Sequence, residues 1–184
     1  MKARTVTADN IAVYCAYDEI VQIDKVIPNP KNPNTHGAEQ IAMLAEIIKR
    51  AGWRNSITVS TLSGFIVKGH GRLLAAEYGG LTEVPVEYQH YNTEADELAD
   101  LVADNRLAEM AEMDNAKLAD IFRDIDLAEM PTELTGYTAD EIAEINAALK
   151  NVDEALELDD EPEPTEKQQT VTCPKCGFEF EVNK

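Results

Sequence analysis

The sequence predicts an α+β fold, in which a small mixed sheet with helices is followed by an acidic helical segment and a C-terminal β-hairpin with two cysteines. Three observations support this prediction. Strand-like and helical patterns alternate before residue 93, helical patterns follow as far as residue 150, and two alternating segments flank Cys173 and Cys176. A chain of 184 residues can bury one ordinary core with a small appendix.

Changes in composition divide the chain into five segments. Residues 151–168 combine prolines with runs of acidic residues and cannot bury enough apolar surface to become ordered. The five segments are an N-terminal strand extension (1–19), the main domain (20–92), the acidic helical segment (93–150), a flexible acidic linker (151–168) and the cysteine hairpin (169–184).

The main domain is expected to begin with strands and an amphipathic helix. Residues 11–27 are rich in β-branched and aromatic side chains, which predicts two short strands. A loop of prolines and asparagines follows them. From Glu39 apolar residues recur at helical spacing until Gly52, which is placed to end the helix. Asn34 or Thr35 is the expected N-cap of this helix.

A hairpin, a glycine turn and a last strand complete the main domain. Residues 55–68 alternate on both sides of a serine-glycine pair, which predicts two antiparallel strands. A turn of sequence Gly-His-Gly-Arg leads from the second strand into a short helix over residues 73–78. Residues 83–91 predict another strand.

Helices are expected throughout the segment that follows. Thr93 and Asp96 have the spacing of a capping box, and Thr138 and Glu141 repeat it, so each pair predicts the start of a helix. Residues 118–125 carry an apolar stripe between these two starts.

The acidity of the chain belongs to its second half. The formal net charge is −19, yet residues 1–90 carry nine basic and nine acidic side chains, whereas residues 91–166 carry four and 24. Such an acidic surface repels duplex DNA, because affinity for DNA phosphates comes from lysine and arginine. We interpret it as a solvated face, with a basic partner or DNA mimicry as the alternative. The first half groups several cations near the glycine turn: Lys49, Arg50, Arg54, Lys68 and Arg72.

Composition also predicts the cellular compartment of the protein. No run approaches the roughly 20 apolar residues of a membrane-spanning helix, and no apolar segment follows the first charged residues. Three cysteines, two of them close together, do not make a disulfide framework. We therefore expect a cytoplasmic protein with no membrane partner.

The Gly-His-Gly-Arg turn is the main candidate site. A strand that enters a helix through such a turn leaves the first N–H groups of the helix unpaired, and the helix dipole adds partial positive charge. Gly69 and Gly71 permit the close approach of an anion. Arg72 offers a forked donor, Lys68 adds charge, and His70 is expected to donate to the anion or cap the helix. The alternative is a tight connection without a ligand.

Several motifs stand in a fixed order along the chain: VIPNPKNPN, a helix ending IIKRAGW, SITVS, FIVKGHGRLLAAEYGG, VPVEY and ADNRLAE. Together they resemble the ParB/sulfiredoxin family, in its ParB N-terminal or ParB-like nuclease domain. The resemblance extends from residue 20 to about residue 125. It is closest to the stand-alone or methyltransferase-linked versions found in phages and prophages.

The resemblance implies that the chain binds a nucleoside triphosphate and works on or near DNA in a bacterial or phage-infected cell. We expect Mg²⁺ with the nucleotide, and slow hydrolysis unless a metal and a positioned water are present. In the family, phosphates lie against the turn that matches Gly69, His70, Gly71 and Arg72. The motif that matches Asp104, Asn105 and Arg106 forms the opposite side of the site.

The sequence departs from the family at several positions, and these departures change what we expect of phosphate affinity, sulfinic acid repair and operator binding. Partitioning members have Glu and Arg where His70 and Gly71 stand, and usually arginine where Asn34 stands, so lower phosphate affinity is expected. Sulfiredoxins carry their catalytic cysteine at the position of His70, so sulfinic acid repair is not expected. The helices after Arg106 lack a basic recognition face, which argues against operator binding.

Other polar residues carry separate expectations. Taken without the resemblance, residues 104–106 interrupt two apolar stretches and predict a helix junction. Asn34 and Thr35 are candidates for lining the pocket as well as for capping. Glu77 and Glu87 are weaker candidates for a general base or a magnesium ligand, and the more common alternative is a surface group. Cys15 is expected to be a small buried apolar residue.

The cysteine hairpin predicts a metal site that one chain cannot complete. The tight turn of Cys173-Pro-Lys-Cys176-Gly lets two thiolates reach one ion, typically zinc. Because a closed tetrahedral site needs four ligands, the hypothesis is a zinc ion shared between two copies in a homodimer. The alternatives are a metal-free hairpin and a redox-labile pair.

Three classes of function follow from these features. The favoured one is a nucleotide-binding protein in a DNA-associated process. The second is an enzyme, either a ParB-like nuclease or a phosphotransferase for a small substrate. The third is an adaptor whose acidic helices dock a DNA methyltransferase or packaging protein.

Overall fold

A small mixed sheet organises the part of the chain that contains the glycine turn. The computed structural model describes residues 3–127, 131–158, 169–172 and 174–182. Contacts divide the chain into two compact units, Met1–Ile145 and Asn146–Lys184. The two units are described separately.

The first unit holds a sheet built from β3 (Glu19–Gln22), β4 (Ile57–Ser60), β5 (Ile66–Lys68) and β6 (Glu83–Gln89). Within the described residues its strand order is β3-β6-β4-β5. β6 pairs antiparallel with β3 and parallel with β4, whereas β4 and β5 form the predicted hairpin. The parallel pairing requires a crossover between β4 and β6, which β5 and the following helix supply.

A two-stranded extension of β1 (Thr5–Val6) and β2 (Ala12–Val13) precedes the sheet. It is joined to the core at Trp53, whose N–H donates to the Ala12 carbonyl at 2.8 Å. Asp9 accepts hydrogen bonds from the backbone of Thr82 and Glu83, which ties the extension to the start of β6. The sequence therefore predicted strands here correctly, although a 3-10 turn over Ile23–Lys25 follows β3.

Two helices pack together beside the sheet. α1 spans Ala38–Ala51 and α2 spans His70–Tyr78. The apolar residues of α1 at Ile41, Ala45 and Ile48 are buried, as the periodicity predicted. They share a core with fully buried side chains of the strands and of α2: Trp53, Ile57, Ile66, Leu73, Val84 and Val86.

Two predictions about where these helices begin were wrong. The N-cap of α1 is Gly37, without a side-chain hydrogen bond, so the prediction of Asn34 or Thr35 as the cap was wrong. The loop reaches further along the chain before the helix begins. α2 begins at His70 rather than at residue 73, because the glycine turn is completed within one residue at Gly69.

The described residues after the sheet contain three α-helices: α3 (Glu94–Glu109), α4 (Asn115–Leu127) and α5 (Ala139–Leu158). The capping box at Thr138 and Glu141 is complete, because each side chain accepts from the backbone N–H of the other residue, whereas of these two bonds only the one from the Asp96 N–H is present at Thr93. A short 3-10 turn, Thr132–Thr135, precedes α5. None of these described helices is long and apolar enough to cross a membrane.

Two boundaries in this half were predicted incorrectly. Residues 104–106 lie inside a continuous α3, so the expected helix junction is absent there. α5 continues to Leu158, inside the segment 151–168 for which no order was expected. Residues 159–168 of that predicted linker lie outside the described residues.

In the second unit β7 (Gln169–Thr172) and β8 (Glu179–Val182) pair antiparallel, and the hairpin with two cysteines stays a prediction. Cys176 is exposed in the turn between them. Cys173 lies outside the described residues, so the shared zinc site stays a prediction.

Gly52, at the end of α1, is the position where a side chain would disturb the fold most. Its φ of 75° and ψ of −179° belong to a region that is nearly restricted to glycine. A Cβ there would lie 2.5 Å from the Ala12 carbonyl oxygen, which is backbone and cannot move aside. We expect Gly52→Ala to lower the free energy of unfolding by about 3 kcal/mol, measured by urea denaturation.

Gly64→Ala is the matched control for this substitution. Gly64 also has a positive φ, of 78°, but nothing lies within 4 Å of a Cβ placed on it. The expected loss is about 1 kcal/mol, from backbone strain alone. Equal losses for the two variants would show that the contact with the N-terminal extension does not constrain Gly52.

Candidate functional site

The glycine turn is formed as the sequence predicted, between the end of β5 and the start of α2. Gly69 adopts a left-handed conformation with φ 100° and ψ 24°, which turns the chain directly into the helix. The first intrahelical bond runs from the Leu73 N–H to the Gly69 carbonyl at 3.1 Å. The N–H groups of residues 70–72 precede this bond and have no acceptor within the helix.

Arg72 folds back against this turn. A Cβ at Gly69 would lie 2.9 Å from Arg72 Nη2 and 3.1 Å from its Nε, so only glycine leaves room for the guanidinium. Burial lowers the pKa of Arg72, and the negative charge of Asp104 opposes that effect. The group remains charged, since an arginine does not lose its proton in proteins.

The Nε–H of Arg72 is inaccessible to solvent and has no hydrogen-bond partner among the described residues. An unsatisfied buried donor costs about 1–3 kcal/mol, and more when it is charged. Native proteins retain such a group where it has a function or where an ion or water completes it. This orphaned donor lies beside the turn for which the sequence predicted an anion.

A solvent-open cleft of about 190 Å³ lies beside the turn. This volume is smaller than the roughly 300–1,000 Å³ of sites that enclose a whole small molecule. It is suited to a chain of phosphates whose remaining parts extend elsewhere. The cleft brings together most of the residues predicted for the site: Lys68, Gly69, His70, Gly71, Arg72, Asn105, Asn34 and Asp104.

His70 connects the turn to the loop of prolines and asparagines. Its Nε2 accepts a hydrogen bond from the backbone N–H of Asn29 at 3.1 Å. Burial lowers the pKa of His70, and the nearby His36 lowers it further. The ring is therefore held neutral, and Nδ1 is its remaining donor.

Lys68 contacts acidic residues of α3 across the cleft. Its Nζ lies 3.0 Å from Asp100 Oδ1 and 3.9 Å from Asp104 Oδ1. Tyr91 donates its hydroxyl to the other oxygen of Asp100 at 2.7 Å. Burial would raise the pKa of Asp100, but the hydrogen bonds from Tyr91 and Lys68 outweigh it and hold that pKa below its ordinary value. The same pairing, with burial, raises the pKa of Tyr91.

α3 forms the opposite wall, as the resemblance implied, but its three matching residues differ in position. Asp104 and Asn105 line the cleft. The Asn105 amide donates to the Leu101 carbonyl one turn earlier, which leaves its oxygen available. Arg106 instead pairs with Glu109 at 3.2 Å on the exposed surface and is not among the cleft residues. Thr35 does not line the cleft either.

Glu97 holds this wall in place. Its side chain is 3% exposed and accepts hydrogen bonds from Ser60 at 2.6 Å and Ser63 at 2.7 Å, both in the β4–β5 hairpin. Because a buried carboxylate that loses its partners is costly, these bonds fix α3 against the hairpin. The sequence offered no signal for this contact, which joins residues more than 30 positions apart.

A second open cleft, of about 470 Å³, adjoins the first. Lys68, Arg72 and Asp104 line both. The second cleft also has polar and ionisable groups from β4, β6 and the connecting segments: Cys15, Arg54, Ser56, Thr58 and Glu87. Ser56, which directly precedes β4, and Thr58, which lies in it, were not identified from the sequence.

The second cleft contains Cys15 and Glu87, for each of which the sequence analysis made a prediction. Cys15 was expected to be buried, but it is only partly covered and lines the cleft, so that prediction was wrong. Burial nevertheless raises the pKa of its thiol. Glu87 also lines the cleft, where its role as a base or ligand stays a prediction. Within the described residues, no three His, Cys, Asp or Glu side chains form a group that could hold a metal ion.

Removing the Tyr91 hydroxyl tests how Lys68 is held. In Tyr91→Phe we expect the pKa of Asp100 to rise toward the ordinary carboxyl value of about 3.9, because one stabilising hydrogen bond is lost. A depressed pKa contributes stability above the unfolded-state value, and that contribution disappears as pH falls through the folded-state value. The variant should therefore lose about 1 kcal/mol at neutral pH and less in acid.

A carboxyl ¹³C NMR titration of Asp100 measures this change directly. Tyr88→Phe is the control, since Tyr88 donates to Glu19 on the exposed side of the sheet. If the pKa of Asp100 is the same in the wild type and in Tyr91→Phe, the hydrogen bond from the Tyr91 hydroxyl does not hold the Asp100 carboxylate beside Lys68.

The zinc prediction is tested by metal analysis of the purified full-length chain. We expect about one zinc per two chains, with a dimer that dissociates when a chelator removes the metal, because two cysteines supply half of a tetrahedral site. Cys176→Ser should abolish both. A chain that contains no zinc, or whose oligomeric state is unchanged by chelation, would reject the shared site.

Comparison with known proteins agrees with this geometry. The model of the ParB N-terminal domain family matches residues 8–105, which is more than half of the chain and includes the turn and both cleft walls. The ParB-like nuclease domain-containing protein YnaK of Escherichia coli K12 is 41% identical over 64 residues. That match covers 35% of this chain and 72% of YnaK.

The structure resembles the C-terminally truncated chromosome-partitioning protein ParB of Caulobacter crescentus, which was solved with CTP-γ-S. The TM-score is 0.60 at 21% sequence identity, and the match covers 76% of this chain and 84% of that one. At this identity the likeness shows the fold. From the family match and this fold, the chain belongs to the ParB N-terminal domain family.

Proposed function

We propose that this chain binds a nucleoside triphosphate, with its phosphates in the cleft beside the glycine turn. One observation carries the proposal: the buried Nε–H of Arg72 has no acceptor among the described residues, and it lies where α2 presents its unpaired N–H groups. A phosphate oxygen satisfies the guanidinium and the helix N-terminus together. The lack of side chains at Gly69 and Gly71 makes room for Arg72 and His36 beside the turn, and the Nδ1–H of His70 adds a donor.

The second cleft accommodates the nucleoside part of this ligand. It adjoins the phosphate cleft through Lys68, Arg72 and Asp104, so one extended molecule can occupy both. The carboxylate of Glu87, which accepts a hydrogen bond from the Ser56 hydroxyl at 3.4 Å, is the acceptor we propose for ribose or base. The Caulobacter crescentus relative was solved with CTP-γ-S, and on that basis we propose CTP as the nucleotide.

We propose that α3 closes over the phosphates. Asn105 lines the cleft. The exposed pair between Arg106 and Glu109 is worth at most about 1 kcal/mol, so Arg106 can leave Glu109 at little cost. Lys68 contributes its charge from the other side. Asp104 is the carboxylate that would hold Mg²⁺, since Mg²⁺ is usually bound by one or two carboxylates together with the phosphates.

The DNA-associated role is also a proposal. It is supported by membership of the ParB N-terminal domain family and by the chromosome-partitioning function in the name of the Caulobacter crescentus relative. A methyltransferase or packaging protein as partner, and an origin in a phage or prophage, remain proposals that rest on the sequence resemblance.

Arg72→Ala tests the proposed site. We expect CTP with Mg²⁺ to raise the melting temperature of the wild type by about 5–10 °C at 100 times its Kd, since a ligand that binds only the folded state stabilises it by about 2.7 kcal/mol at that ratio. Removing the guanidinium should weaken binding at least about 30-fold, equivalent to about 2 kcal/mol. A panel of nucleoside di- and triphosphates with and without Mg²⁺ identifies the base.

Arg123→Ala is the matched control for this test. Arg123 is an exposed arginine that pairs with Asp120 on α4 and lines neither cleft. Its removal should leave the ligand-induced shift unchanged. Equal shifts in the wild type and in Arg72→Ala would reject the phosphate site, and a lack of any shift in the wild type would reject nucleotide binding.

A further inference from the structure

His36 lies in the phosphate cleft at the end of the loop before α1. Its ring packs against the glycine turn, because a Cβ on Gly71 would lie 3.1 Å from His36 Cε1. The side chain is half-buried and belongs to the cleft lining. The imidazole is therefore adjacent to the first N–H groups of α2, where we place the phosphates.

The hydrogen bond of His36 determines which nitrogen is available. Its Nδ1 lies 3.1 Å from Gln40 Oε1. With the proton on Nδ1, this nitrogen donates to the carboxamide oxygen, which can only accept. In the neutral ring Nε2 then has a lone pair. A lone pair repels a phosphate oxygen, whereas a protonated Nε2 donates to it.

The fixed charges around the cleft do not favour a triphosphate. Lys68 is paired with Asp100 at 3.0 Å and with Asp104 at 3.9 Å. Lys68 is therefore balanced by two carboxylates of α3 within the described residues, one of which, Asp104, also acts electrostatically on Arg72. A ligand with several negative charges needs further positive charge, and histidine is the side chain that gains it most readily near neutral pH.

His70 is the other histidine in the cleft and is poorly suited to this role. Its Nε2 already accepts a hydrogen bond from the Asn29 N–H, and a proton on that nitrogen would break the bond. Burial and the proximity of His36 also lower the pKa of His70. The groups that face His36 are thus a neutral His70 and Arg72 from α2, Lys68 from β5 and Asp104 from α3.

We propose that His36 takes up a proton when phosphates bind and donates it through Nε2, so that phosphate affinity increases as pH falls. This inference rests on the proposed function, because it assigns a pH-dependent contact to the same site. His36 is a binding residue in this scheme and its partner Gln40 positions the ring. The proton comes from solvent and returns to it when the ligand leaves.

The test uses inorganic tripolyphosphate, which probes the phosphate site without a base. Binding to the full-length chain is measured by titration calorimetry from about pH 6 to about pH 8.5, the range in which histidine changes charge. His36→Gln keeps a hydrogen-bonding side chain but cannot acquire charge. Its pH profile serves as the reference for protonation of the ligand itself, which titrates in the same range.

We expect the wild type to bind about tenfold more tightly than His36→Gln at pH 6, with a ratio that falls toward one by pH 8.5. Repeating the titrations in buffers of different ionisation enthalpy should show the wild type taking up as much as one more proton than the variant. The chain has three histidines, so the signal of His36 can be followed separately by NMR. This signal should shift when tripolyphosphate is added.

His90→Gln is the matched control, because His90 contacts Thr61 outside both clefts and its loss should leave the pH profile unchanged. A wild type to His36→Gln affinity ratio that is constant with pH would overturn this inference. If Arg72→Ala still abolishes binding in that case, the proposed function survives. If the wild type binds neither tripolyphosphate nor any nucleotide, the proposed function and the inference both fail.

Discussion

The arginine packed beneath the glycine turn is the constraint on which the candidate site depends. Arg72 occupies the space that a side chain at Gly69 would fill, and this position removes its Nε–H from solvent without supplying an acceptor. The protein therefore bears the cost of an unsatisfied charged donor. An anion beside the N-terminus of α2 removes that cost, which links the local backbone geometry to the proposed phosphate binding.

The acidic character of the chain has a structural role next to this site. Asp100 and Asp104 of α3 face Lys68, and Tyr91 fixes Asp100 by a second hydrogen bond. The buried Glu97 attaches the same helix to the β4–β5 hairpin. An acidic helix thus forms one wall of the proposed anion site by pairing with a cation of the other wall.

Local patterns in the sequence predicted the strands, the starts of α3 and α5 and the Gly69–Arg72 turn, because capping boxes, apolar periodicity and glycine positions act over a few residues. The resemblance supplied α3 as the opposite wall. Contacts between distant residues could not be predicted: nothing local shows that Lys68 meets Asp100 or that His36 packs on Gly71. The prediction of a helix junction at residues 104–106 was wrong, because polar residues on one face of a continuous helix resemble an interruption of the apolar pattern.

The Arg72 Nε–Hε resonance in a ¹⁵N NMR spectrum gives the most direct test of the central claim. In the free protein this proton should be protected from solvent and lack the shift of a hydrogen bond to an anion. When CTP with Mg²⁺ is added, the account predicts a downfield shift of Hε, as expected for a charge-assisted bond to phosphate. Binding of CTP that leaves this resonance unchanged would contradict the account, because the nucleotide would then be held elsewhere.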